Sequence, residues 1–77
     1  MSSTINRVRH IVALALDLEE KRIRDTADFV DDLGATRQEL RGIFRELEKE
    51  FNINIPTEDQ REITNIRTAV EYIEAHI

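Results

Sequence analysis

Two histidines, a crowd of aspartates and a file of cations are the side chains here with chemistry to offer. His10 and His76 fall in separate segments, without the HxxxH or HExxH spacing that sets two ligands on one helix face. His76 is read as complementing the negative end of the last helix, and neither is read as a metal ligand. Asp25, Asp28, Asp31 and Asp32 lie close together, but the D-x-[DN]-x-[DN]-G run and terminal Glu of a calcium loop are absent, so they read as a solvated acidic stretch. There are no cysteines, which removes thiol catalysis, disulfides and thiolate metal sites. There is no glycine-rich phosphate loop and no Ser-His-Asp set; the only serines are Ser2 and Ser3, at a terminus expected to fray. No enzyme is read from these residues.

The cations are better ordered. Arg37, Arg41, Arg45 and Lys49 recur every four residues, which on a helix makes one slowly drifting stripe. Arg45 and Lys49 have acids three residues away, Glu48 and Glu46, whereas Arg37 and Arg41 have none at three or four. Such a strip suits a protein partner with an acidic surface; the plain alternative is an ordinary mixed-charge solvated face. Gly42 lies inside the same segment and fits either a close approach by another backbone or simple drift.

The elements that must carry these residues follow from periodicity. From about Thr4 to Leu18, Ile5, Val8, Val12 and Ala15 form one apolar stripe and Ile11, Leu14 and Leu18 an adjacent one. Ser3 or Thr4 is the expected N-cap, and Asn6, Arg7, Arg9 and His10 are left to water. Residues 19–35 show no single helical face. They read as a long loop pinned by Ile23, Ala27, Phe29, Val30 and Leu33, with one short turn around residues 28–32. Thr36 and Glu39 then form a capping box ahead of a stripe at Leu40, Ile43, Phe44, Leu47 and Phe51, ending near Asn52. After Pro56, Thr57 to Gln60 repeats the capping-box spacing and predicts a short helix to about Glu62. A last helix from Thr64 or Asn65 carries Ile66, Ala69, Val70, Ile73 and Ile77. The expected fold is all-α, a small four-helix bundle of three longer helices and one short, with a long loop between the first two.

Composition agrees. The chain has 77 residues, 40% hydrophobic and 35% charged, and reads as one domain over residues 1–77. Eleven Lys/Arg against 16 Asp/Glu give a net charge of −5, which argues against nucleic acid. No apolar run is long enough to span a membrane and no signal peptide is visible, so the expected location is cytoplasmic. By segment the charge is +2 over residues 1–16, −4 over 17–35, 0 over 36–54 and −3 over 55–77, so the strip sits in an acidic protein. The strip could pair with the acidic loop of the same molecule or of a second copy, and the expected state is a monomer or weak self-association.

Several blocks together carry a family likeness. Phe29-Val30-Asp31-Asp32-Leu33-Gly34-Ala35 before a capped helix resembles the acyl carrier protein signature. Leu47-Glu48-Lys49-Glu50-Phe51, Ile55-Pro56, and Ile63-Thr64 leading into Ala69-Val70-Glu71-Tyr72-Ile73 are similar to that family in order and spacing, and the opening segment fits too. The resemblance implies a four-helix bundle that carries acyl chains in lipid or secondary-metabolite synthesis. It also implies a phosphopantetheine arm on the serine of an Asp-Ser-Leu motif just after Gly-Ala. The matching positions here are Thr36, Arg37 and Gln38, so Arg37 occupies the serine position and offers no hydroxyl. No cofactor is therefore expected. The reading taken is a non-carrying interaction or regulatory module that docks through its second helix with Arg37, Arg41, Arg45 and Lys49. The family normally presents an acidic second helix to basic patches on its enzymes, so the polarity would be changed. The alternative is a specialised acyl or peptidyl carrier with the arm on an unusual hydroxyl, Thr36. A third reading is reversible binding of an apolar ligand between the helices.

Overall fold

A computed structural model describes residues 3–77. Ser3 is the first cap: its side chain accepts the Asn6 N–H at 3.2 Å, and α1 (Thr4–Leu16) starts directly after it. Ser2 lies outside the described residues. The helix stops two residues before the sequence pattern does. Asp17 takes a left-handed conformation (φ 55°), which an aspartate tolerates better than most side chains. The N–H groups of Asp17 and Leu18 then turn back onto Leu14 and Ala13, at 3.4 and 2.9 Å, as a Schellman turn. Leu18 therefore leaves the helix, and Leu14, expected on the apolar face, is 70% exposed. Ala13 is buried in its place beside Val8 and Val12.

The connection that follows is held at more points than its apolar side chains alone. It contains a 3-10 turn (Glu20–Arg22) that periodicity does not predict, closed by the Arg22 and Ile23 N–H groups on Glu19 and Glu20 carbonyls. Ile23 and Phe29 are buried, while Val30, expected as a pin, is 48% exposed. Arg9 also departs from the place the sequence suggests. Rather than facing water, it donates to the Ile23 carbonyl at 2.7 Å and to Asp25 Oδ1 at 2.6 Å, with its side chain only 19% exposed. Two backbone bonds fasten the same connection to the far end of the chain, Phe29 N–H to the Thr64 carbonyl (2.9 Å) and Arg67 N–H to that of Asp25 (3.0 Å). The turn at residues 28–32 is present: Asp28 Oδ2 accepts the Val30 and Asp31 N–H groups, and Asp32 Oδ2 accepts that of Asp28. Gly34 closes it with φ +73°, a left-handed conformation where a Cβ is disfavoured.

The other helices are α2 (Arg37–Phe51), α3 (Thr57–Gln60) and α4 (Ile66–His76). α2 ends as α1 does, with Asn52 at φ 54° and the Ile53 N–H returned to the Glu48 carbonyl at 3.1 Å. The expected Thr57 cap is corrected. Pro56 is the N-cap and makes no side-chain cap bond, since its ring presets the entry and needs no N–H. Gln60 instead donates to the Ile55 carbonyl at 3.0 Å, and α3 ends there rather than at Glu62. Asn65, one of the two expected starts, caps α4 in a box with Thr68 that the sequence analysis does not identify. Ile77 falls beyond the last turn and is 67% exposed, outside the stripe assigned to it.

α1 is the helix that both α2 and α4 pack against. The core joins Val8, Val12, Ile43, Phe44, Leu47, Phe51, Ile66, Ala69 and Ile73, sealed by Ile23, Phe29, Ile55 and Ile63 from the connections. Arg7 adds a tie between α1 and α2, donating to Glu50 Oε2 at 2.9 Å with its guanidinium 4.3 Å from the Phe51 ring centroid. The described residues contain four α-helices and no strand.

Candidate functional site

The start of α2 is built by a reciprocal pair of bonds. Thr36 Oγ1 accepts the Glu39 N–H at 3.1 Å, and Glu39 Oε1 accepts the Thr36 N–H at 2.9 Å. This capping box satisfies two backbone donors that a helix start otherwise leaves orphaned. Arg37 is the first helical residue and is exposed, as are Thr36 and Gln38 on either side. A cation in the first turn opposes the helix dipole by roughly a few tenths of a kcal/mol, a cost that the capping carboxylate of Glu39 offsets locally.

Arg41, Arg45 and Lys49 continue the exposed stripe along the same helix. Among the described residues the ion pairs are Arg7–Glu50, Arg9–Asp25, His10–Glu20 and Arg22–Glu19, so none of the four stripe cations is paired. The acids that the sequence set against Arg45 and Lys49 do not close on them. Glu48 turns inward and accepts the Ile55 N–H at 2.8 Å, holding the backbone after α2, while Glu46 stays exposed. Of the four glutamates on α2, Glu39, Glu48 and Glu50 are thus engaged inside the fold, and the cations are left facing outward.

Gly42 interrupts this surface. A Cβ built there meets nothing within 4 Å, and its backbone is ordinary helix. Within the chain it therefore costs about 1 kcal/mol of helix propensity relative to alanine, with no packing or conformational return. The missing side chain leaves a shallow groove of about 540 Å³ between Arg37, Gln38, Arg41 and Arg45. A second, more apolar cleft of about 320 Å³ lies between the connection, α2 and the end of α3, lined by Phe29, Val30, Leu40 and Ile63.

The remaining candidates are held apart. His10 Nδ1 donates to Glu20 Oε2 at 2.8 Å, latching the 3-10 turn to α1. His76 donates from Nδ1 to the Tyr72 carbonyl at 2.7 Å and stacks on the Tyr72 ring, at the last turn where a cation would complement the dipole. Tyr72 O–H in turn donates to Asp59 Oδ2 at 2.7 Å. That bond, with burial and the nearby acids, pushes the Tyr72 pKa up to about 12. Asp28 and Asp32 are occupied by backbone N–H groups and Asp25 by Arg9. Among the described residues no group of three or more His, Cys, Asp or Glu side chains could hold a metal ion, and no helix is long and apolar enough to cross a membrane.

The fold as a whole has counterparts among known proteins. The chain matches the family described as "Phosphopantetheine attachment site" over residues 6–73. Two acyl carrier protein sequences from Brachyspira hyodysenteriae are each 45% identical to it over 73 residues, covering 94% of this chain and 94% of their own length. A solved structure of the acyl carrier protein from Enterococcus faecalis superposes with a TM-score of 0.82 at 30% identity, covering 96% of this chain and 94% of that one. Those relatives are carriers rather than enzymes, and with a family match over most of its length this chain belongs to the acyl carrier protein family.

Proposed function

We propose that the chain is a non-carrying member of its family, an interaction or regulatory module that docks through α2 on a protein with an acidic surface. The observation that carries this reading is Arg37, an exposed guanidinium as the first residue of α2, just after Gly34-Ala35 and the Thr36 cap. The family's arm, phosphopantetheine, is joined through a phosphodiester and needs a hydroxyl oxygen. At the position that resembles the attachment site, arginine supplies none, and Ser3, the one serine described, caps α1 instead. The residues at this helix start therefore do not fit the group at position 37. The docking half rests on Arg37, Arg41, Arg45 and Lys49, all exposed and unpaired among the described residues. Such a row favours encounter with a negative surface and discriminates against a positive one.

The family match itself favours a second reading, a specialised carrier with its arm on Thr36, whose side chain is exposed. Against it, the Thr36 oxygen is already the acceptor of the capping box and stands one residue ahead of the matching position. Intact mass after incubation with coenzyme A and a broad-specificity phosphopantetheinyl transferase separates the two. The non-carrying reading predicts an unchanged mass beside a fully converted control carrier. The second reading predicts an adduct that Thr36→Ala eliminates.

A further inference from the structure

Gly42 stands on the solvent side of α2, four residues after Gln38 and three before Arg45, opposite the stripe of Ile43, Phe44 and Leu47. Nothing in the chain approaches it and its backbone needs no glycine, so its place has no intramolecular account. What the absent side chain does provide is a notch alongside the middle of a cationic row, next to Arg41 and Arg45. We infer that an acidic α-helix of a protein partner crosses α2 at Gly42, its backbone seated in that notch and its carboxylates meeting Arg37, Arg41 and Arg45. The inference rests on the reading of α2 as the docking face and names what docks there.

Three features together select an acidic helix as the occupant. Side chains four residues apart on α2 repeat about every 6 Å along its axis, the same interval at which carboxylates four apart repeat on a second helix lying nearly alongside. A glycine at the crossing lets two helix axes approach to about 8 Å, the near end of the packing range, and draws the flanking cations around the partner. Guanidinium groups, three of the four cations, present planar forks that grip carboxylates bidentately. A nucleic acid suits the surface less well. The groove, lined by Arg37, Gln38, Arg41, Gly42 and Arg45, offers no aromatic ring for a base to stack on, and the chain as a whole carries a charge of −5.

The test uses a stapled, alanine-based helix with glutamate at every fourth position, and a stapled isomer of the same composition with its glutamates scattered around the helix. Binding is read by fluorescence anisotropy and folding by thermal melting. The unaltered chain is expected to bind the striped helix at least ~10-fold tighter than the scattered one. Gly42→Leu should weaken that binding ~10-fold or more while melting no lower than the unaltered chain. Gly42→Ala should melt ~4 °C or more higher, because it removes the helix-propensity cost, and bind a few-fold more weakly. The triple variant R37E/R41E/R45E should not bind. If Gly42→Leu binds as the unaltered chain does while the triple variant fails, charge alone docks the partner; the crossing is overturned and the docking reading survives. If the triple variant still binds, the docking reading falls as well. Equal binding of the two peptides, binding of neither, or tighter binding of a single-stranded oligonucleotide also overturns the inference.

Discussion

Arg9→Met removes the guanidinium that ties the long connection to α1 while keeping most of its apolar stem. Two bonds are lost, one to the Ile23 carbonyl at 2.7 Å and one to Asp25 Oδ1 at 2.6 Å. A charge-assisted bond to a carbonyl contributes about 1–1.5 kcal/mol in a partly buried setting. The ion pair contributes less, about 0.5 kcal/mol, because the Asp25 side chain is 43% exposed and water screens it. The expected loss is about 1.5–2 kcal/mol, a large share of the stability of so small a domain. With a urea slope of about 1 kcal/mol/M, the unfolding midpoint followed by far-ultraviolet circular dichroism should fall by about 1.5–2 M. The effect should also be local. Asp25 accepts the Arg67 N–H and Thr64 accepts that of Phe29, so both amides should exchange faster than the core amides of α2. A double-mutant cycle with Asp25→Asn should return a coupling below about 1 kcal/mol, with the rest belonging to the Ile23 carbonyl. A loss under about 0.5 kcal/mol, with exchange at Phe29 and Arg67 unchanged, returns Arg9 to the solvated role its sequence position suggests.

Other outcomes are fixed by single contacts. Gly34→Ala should cost about 1 kcal/mol by chemical denaturation; the added Cβ meets nothing within 4 Å, so the loss belongs to the φ of +73° alone. Thr36→Ala should cost about 1 kcal/mol by removing the cap, and Thr36→Asp should restore it, since either side chain can accept the Glu39 N–H. Tyr72 is neutral in the folded state up to about pH 12, whereas an unfolded tyrosine ionises near 10. Its contribution is therefore complete below pH 10 and lost as pH rises towards 12, because the unfolded chain releases the proton first. Ultraviolet titration should place the folded midpoint near 12, and Tyr72→Phe should remove that part of the alkaline loss.

The long helices were legible because their information is local. The Thr36–Glu39 box lies within one turn and its apolar stripe repeats at helical spacing, so residue types alone place α2 and its core face. Where the structure departs from the residue pattern, the deciding interaction is distant or conformational. Arg9 finds its partners 14 and 16 residues away, across a segment without periodicity. Leu14 and Leu18 fit the helical stripe, but Asp17 ends the helix with a left-handed turn that an apolar count does not register. Thr57 has the spacing of a capping box, yet the Pro56 ring already sets the chain direction. At the candidate site the type and exposure of Arg37, Arg41, Arg45 and Lys49 could be anticipated. The inward turn of Glu48 onto the Ile55 N–H, which leaves Arg45 without its neighbour, could not, because it depends on where the backbone returns after α2.

Under the proposed reading the carrier fold is kept while position 37 offers no acceptor hydroxyl. The most direct measurement compares the unaltered chain with a variant carrying Thr36→Asp, Arg37→Ser and Gln38→Leu, each incubated with coenzyme A and phosphopantetheinyl transferase and read by intact mass. No change is expected for the unaltered chain, and one phosphopantetheine on the serine introduced at position 37 of the variant. An adduct on the unaltered chain, placed by fragmentation at Thr36 or elsewhere, makes the chain a carrier.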